Sequence, residues 1–204
     1  MRELRQGVVT RHSLQVDSVS VRAIHTPDYL QFLETIHKRW QHTGGSEEVV
    51  PNVHPNGRGL GGYPDSAVGH AGWHMADTAC PIGVGTWEAV QAGANTAIDA
   101  AKRVLNGTPV VYALCRPPGH HAFADMAGGF CYLNNSAIAA QELRSQHGRV
   151  AIIDVDVHHG NGTQGIFYRR RDVLTVSLHA DPQRFYPFFW GYAHERGEGE
   201  GLGC

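Results

Sequence analysis

The stretch Val150-Ala151-Ile152-Ile153-Asp154-Val155-Asp156-Val157-His158-His159-Gly160-Asn161 decides the fold. Its first eight residues, 150–157, form a nearly continuous apolar run. Such a run is what a strand covered on both faces looks like, as in a parallel sheet. Two acids interrupt it. A carboxylate in apolar surroundings is costly unless it is paired or metal-bound, so Asp154 and Asp156 imply a cation close by. Alternate strand residues share a face, so Asp154, Asp156 and His158 are expected to project together at the strand's end. A carboxylate and an imidazole two residues apart are natural zinc ligands. The bland alternative is a strand whose acids cap a helix or pair with an arginine.

Outward from this run, Pro109–Leu114 reads as a short buried strand and Val173–Leu178 as another. Helical spacing of Trp87, Val90, Ala94, Ala97, Ile98, Ala101, Val104 and Leu105 predicts a helix over Thr86–Leu105, closed by Asn106-Gly107. Further helices are expected over Asn135–His147 and Thr163–Arg169. Val19–Trp40 reads as a short strand followed by a helix that starts at Thr26-Pro27-Asp28. Strands alternating with helices predict an α/β domain with a central parallel sheet flanked by helices on both faces. Ligands of such sheets bind beyond the carboxyl ends of the strands. Three predicted strand ends deliver polar groups there: Arg116–His121, Asp154–Asn161 and Ser177–His179.

His42–Pro81 breaks the alternation. It is rich in glycine and proline, shows no strand or helix period, and carries Tyr63, Trp73 and Met75. A structureless segment of this length is usually functional or disordered. The expectation is an inserted loop at the rim of the site, contributing to a homodimer.

Composition excludes several classes. The chain has 204 residues, 42% hydrophobic and 18% charged, which is ordinary for a single folded domain. A formal net charge of -2 gives no field to attract nucleic acid or an anionic membrane. No apolar run approaches the roughly 20 residues of a membrane helix. The start, MRELRQGVVT, lacks a signal-peptide core, so a cytoplasmic location is expected. Cys80, Cys115, Cys131 and Cys204 form no C-x-x-C pair, which argues against a zinc knuckle or a redox motif. Fourteen histidines are many for this length, and five of the seven in Arg116–Arg196 adjoin predicted strand ends.

His120-His121 follows Pro117-Pro118-Gly119 at such an end. Proline stiffens the loop and glycine permits an unusual turn. Imidazole near neutral pH can accept and donate a proton. The alternative is a pair of surface loop histidines. With the Asp156/His158 spacing, the histidine pair points to metal-assisted hydrolysis, in which a metal polarises a carbonyl and acidifies water.

The motifs R-P-P-G-H-H, G-G-F-C-Y-L-N-N, D-V-D-V-H-H-G-N-G-T-Q and S-L-H, spanning Arg116–His179, resemble the histone deacetylase superfamily. The stretches before Thr86-Trp87-Glu88-Ala89 and D-P-Q-R-F-Y-P-F-F-W-G-Y afterwards are most similar to its acetylpolyamine branch. The resemblance implies an arginase-like α/β fold and removal of acetyl groups from acetylated small amines, or from acetyl-lysine. It implies Asp156 and His158 as two zinc ligands and His120 and His121 as the catalytic pair. Asp154 would stand behind His120 and Asn161 behind His121. The neutral Asn161 should leave His121 the easier of the two to deprotonate. Gly129 and Phe130 would line the channel to the metal, with Phe188 or Phe189 opposite. A structural K⁺ would take Asp154, Asp156, His158, Ser177 and Leu178, partly through backbone oxygens. The family pattern also has a third zinc ligand, an Asp, and an oxyanion-stabilising Tyr, both beyond the region matching Gly203. The expectation is therefore a C-terminally truncated deacetylase domain. A catalytically incomplete fragment that serves only as a binding module is the other class, and a two-manganese arginase-like hydrolase a third.

Overall fold

In the computed structural model, which describes residues 19–56 and 61–201, two parallel strands carry the centre of the fold. Strand β1 (Val150–Asp154) pairs with β2 (Val173–Ser177) in register from Val150↔Val173 to Asp154↔Ser177. Helix α6 (Asn161–Phe167) makes the crossover between them. Upstream lie α1 (Val19–Ile24), α2 (Pro27–Gln41), α3 (Ala67–His74), α4 (Thr86–Leu105) and α5 (Asn135–Leu143). The architecture is α/β, with a parallel sheet flanked by helices. Helix α5 packs on β1, α6 on β2, and α4 and α1 on α5, while α2 and α3 pack together.

The core follows from which side chains these elements bury. Tyr29, Phe32 and Ile36 of α2 are fully enclosed, and α4 and α5 meet through small buried residues: Gly93, Ala94, Ala97, Ala137 and Ala140. Small side chains let two helices approach closely, and their burial supplies about 25 cal/mol per Å² of apolar surface.

Several expectations need correction. Val19 opens a helix, not a strand: Ser20, Val21, Ile24 and His25 are buried, which is helical spacing, and the β-branched V-S-V misled the period reading. Residues 109–114 pair with no strand among the described residues; Val110, Tyr112 and Leu114 are exposed, while the alternate Val111 and Ala113 are partly covered. The 42–81 segment contains α3, capped by Ser66 Oγ accepting from Gly69 N at 3.0 Å, and the bridge Val49↔Ile82. Its Gly57 and Gly59 lie outside the described residues, as do Cys204 and the opening MRELRQGVVT. Helix cover, expected on both sheet faces, is found on one face among the described residues. Ile153, Val155, Leu174, Val176 and Leu178 are exposed together with Val110, Tyr112 and Leu114. Among the described residues no helix is long and apolar enough to cross a membrane.

Candidate active site

β1 stops at Asp154, three residues before the expected end, because carboxylates take over from the ladder. Asp154 Oδ1 accepts from Asp156 N at 3.0 Å, and Asp156 Oδ1 accepts from His158 N at 2.8 Å. The chain turns instead of continuing flat, which replaces the expected alternation. Asp156 and His158 still meet, with Oδ1 and Nδ1 2.9 Å apart and both side chains solvent-accessible.

The loop 116–122 is fixed from three sides. Asn134, the N-cap of α5, accepts from Ala137 N at 3.0 Å and donates to Ala122 O at 3.1 Å and Thr163 Oγ1 at 3.0 Å. Thr163 N donates to His120 O at 3.1 Å. A Cβ on Gly119 would lie 2.6 Å from Asn135 N, so only glycine lets this loop approach α5.

Two imidazole pairs result. His120 Nδ1 lies 2.8 Å from Asp154 Oδ2, and His121 Nδ1 lies 2.7 Å from Asn161 Oδ1. The two rings are 4.0 Å apart, and the His121 ring is 6.0 Å from that of His158. Both Nδ1 atoms face acceptor oxygens. Each neutral ring therefore carries its proton there and keeps Nε2 as the basic nitrogen. Burial, then the neighbouring His120, pushes His121 down to about 4 against the upward pull of the Asn161 hydrogen bond. The neutral partner is therefore not the main cause of this direction; burial is. Burial works to raise Asp154, but hydrogen bonds from His120 and Asp156 N win and hold it below the usual carboxylate range.

Gly129 and Phe130 occupy the centre of a tight turn closed by Gly128 and Cys131, with Cys131 N donating to Gly128 O at 2.8 Å. Both central residues have positive φ, 49° and 67°, as a type I′ turn requires. The turn holds Phe130 out, 64% exposed. Across from it stand the aromatics of 185–189. The rings against the site belong to Phe185, stacked on His158 at 5.1 Å, and Tyr186, edge-on to His121 at 4.8 Å. Phe188 stands one contact further out, against Tyr186, and Phe189 is 84% exposed. The adjacent F-Y in F-Y-P-F-F-W was the available signal, but sequence order cannot say which of its five aromatics turns inward.

Ser177 and Asp154 are register partners, and Leu178 N donates to Asp154 O at 2.9 Å. Asp154 and Ser177 border a cavity of about 240 Å³ that none of His120, His121 or His158 lines. His179 holds Ser177 Oγ at 2.9 Å and Gly191 O at 3.0 Å, and Glu195 accepts from Gly191 N at 2.9 Å, tying the 185–195 loop to the β2 end. Sequence reasoning missed Glu195, and also Asp77.

Over residues 2–204 the sequence matches the family model described as histone deacetylase domain. The chain belongs to the histone deacetylase family. It is 51% identical over 189 residues to acetylpolyamine amidohydrolase of Burkholderia pseudomallei (strain 1710b), covering 90% of this chain and 53% of that protein. It is 47% identical over 184 residues to acetylpolyamine amidohydrolase 2 of Pseudomonas aeruginosa, covering 90% and 54%. A crystal structure of the Burkholderia pseudomallei acetylpolyamine aminohydrolase superposes with a TM-score of 0.90 at 47% identity, covering 98% of this chain and 58% of that one. The chain spans about half the length of the curated relatives it matches.

Among the described residues no three His, Cys, Asp or Glu side chains are gathered as a metal site. The Asp156/His158 pair nevertheless fits part of one: an oxygen and a nitrogen donor, adjacent and solvent-accessible, are the donor types zinc takes. The Asp154 and Ser177 oxygens at the cavity are the donor type of a hard monovalent ion.

Proposed function

We propose that this chain carries the proton-transfer pair and two zinc ligands of a zinc-dependent amide hydrolase that removes acetyl groups from acetylated amines. Acetylpolyamines are the first substrate class and acetyl-lysine the second. One observation carries the reading: the His120–Asp154 and His121–Asn161 pairs, rings 4.0 Å apart, open beside Asp156 and His158. When bound, zinc held by Asp156 and His158 would polarise the acetyl carbonyl and acidify a water. His121, kept neutral by burial, accepts the proton of that water at Nε2. The proton so gained at His121 Nε2 is the one the leaving amine takes, and His120, oriented through Nδ1 by Asp154, presents its Nε2 beside it. Asp154, Asp156, His158, Ser177 and Leu178 would share a structural K⁺, which accounts for two acids at one strand end. Phe130 on its I′ turn and the Phe185/Tyr186 pair form the sides of the approach, with Phe188 and Phe189 at its rim. A cytoplasmic homodimer belongs to the same proposal.

The exposed apolar sheet face favours a second reading, a binding module without turnover. One experiment separates them: zinc analysis and acetate release from an acetylated polyamine with the full-length protein. Zinc with acetate release is expected. Neither, in a folded protein, would overturn the hydrolase reading.

A further inference from the structure

A half-buried carboxylate outside the motifs joins both sides of the approach to His121. Asp77 follows α3, and its segment runs alongside Ala127: Ala76 N donates to Ala127 O at 2.8 Å and Ala127 N to His74 O at 2.8 Å. This pairing sets Asp77 level with the Gly128–Cys131 turn. Tyr186 Oη donates to Asp77 Oδ2 at 2.6 Å, and Gly129 N donates to the same oxygen at 3.1 Å. Asp77 Oδ1 accepts from Ala79 N at 2.8 Å, which fixes the carboxylate's own rotamer. One oxygen thus receives a donor from each wall, and the residue between the walls is His121. A Cβ on Gly129 would lie 2.5 Å from His121 Cδ2 and 2.8 Å from Tyr186 Oη, so the three groups are already in contact. Burial, with the Asp77 hydrogen bond, raises Tyr186, so its hydroxyl keeps its proton and spends it on Asp77. It is therefore not a free donor for an oxyanion.

We propose that Asp77 is a positioning residue that clasps Tyr186 to the Gly129 turn, fixes the bore beside His121, and so restricts the site to slender, unbranched amine chains. The proposal rests on the hydrolase reading above. A chain reaching His121 runs along the seam where Gly129, which has no side chain, meets the edge of the tethered ring. Without the tether, Tyr186 turns outward, a wider chain fits, and a slender one is held less well. Charge-assisted hydrogen bonds are short and position their partners strongly, and discriminating one methyl group in a pocket is worth about 10-fold or more.

The test compares full-length wild type with Asp77→Ala, Tyr186→Phe and the double variant. The substrates are N-acetyl-1,4-diaminobutane and its analogue methylated on the carbon bonded to the acetylated nitrogen. The preference for the unbranched substrate should fall about 10-fold in each single variant. The fall should come through KM rather than kcat, and the double variant should be no worse than Asp77→Ala. A loss of kcat with the preference unchanged would make Asp77 merely structural and overturn the proposal. Full preference in Tyr186→Phe, with KM raised in Asp77→Ala for cationic but not for neutral acetylamides, would make Asp77 an ammonium contact and overturn it too. Tyr186→Phe keeps the ring, so it tests the clasp even if Asp77→Ala does not fold. Amide exchange at Gly129 gives a readout independent of turnover: it should quicken in Asp77→Ala, and unchanged exchange overturns the clasp. A wild type that releases no acetate while Gly129 remains protected by Asp77 would sink the hydrolase reading and leave the clasp standing.

Discussion

Gly129→Ala is the smallest change that tests the site's geometry. The added Cβ would sit 2.5 Å from His121 Cδ2 and 2.8 Å from Tyr186 Oη. Ordinary contact begins near 3.4 Å, so something must move by about 0.9 Å. Neither neighbour yields freely. The His121 ring is buried and bonded to Asn161 at 2.7 Å, and Tyr186 is tethered to Asp77 at 2.6 Å. The turn cannot relax either, because φ at 129 is 49°, a region that costs a non-glycine residue about 1 kcal/mol. A catalytic group misplaced by ~1 Å loses about 100-fold in rate, equivalent to ~2.7 kcal/mol of barrier. We expect kcat/KM for an acetylated polyamine to fall by about that factor in the full-length protein, with zinc content unchanged. Steady-state kinetics beside metal analysis checks this. A variant within about 3-fold of wild type, fully zinc-loaded, would refute the packing of Gly129 on His121.

Three further outcomes are expected. Asp156→Ala and His158→Ala should each lose zinc, whereas His121→Ala should keep zinc and lose turnover by at least ~100-fold; elemental analysis showing equal zinc in all three would discard the ligand assignment. His25 is buried, accepts from Asn134 N at 3.0 Å, and is pushed down to about 4 by that burial. The unfolded chain, with an ordinary histidine value of about 6.5, therefore takes the proton first. Its contribution is complete above pH ~6.5 and declines as pH falls toward 4, by roughly 3 kcal/mol in all. Urea unfolding of wild type and His25→Gln across that window should diverge accordingly, and parallel curves would show that His25 is not the group responsible. Finally, replacing exposed Tyr112 and Val155 with Thr should raise the monodisperse fraction of the 204-residue polypeptide in light scattering, since a contiguous apolar face promotes association; no change would mean the face is not what associates.

The sequence alone determined the parts of this protein that depend on local order. The apolar run at 150–154, the helical spacing of 86–105 and the placement of Asp156 and His158 just beyond β1 were legible because each is written in consecutive residues. The family could be read there too, since its motifs are contiguous. Tertiary structure decided the rest. V-S-V at 19–21 favours a strand by propensity, yet packing against α5 makes it helix. Burial, not the chemistry of Asn161, is the main cause that lowers His121, and burial is a property of everything folded around a residue. Tyr186 rather than Phe188 or Phe189 meets His121 because the 185–195 loop is tied down by His179 and Glu195. Asp77 lies 52 residues from Gly129 and 109 from Tyr186. No period or motif links those positions; only the closing of the chain brings one carboxylate oxygen within reach of both donors.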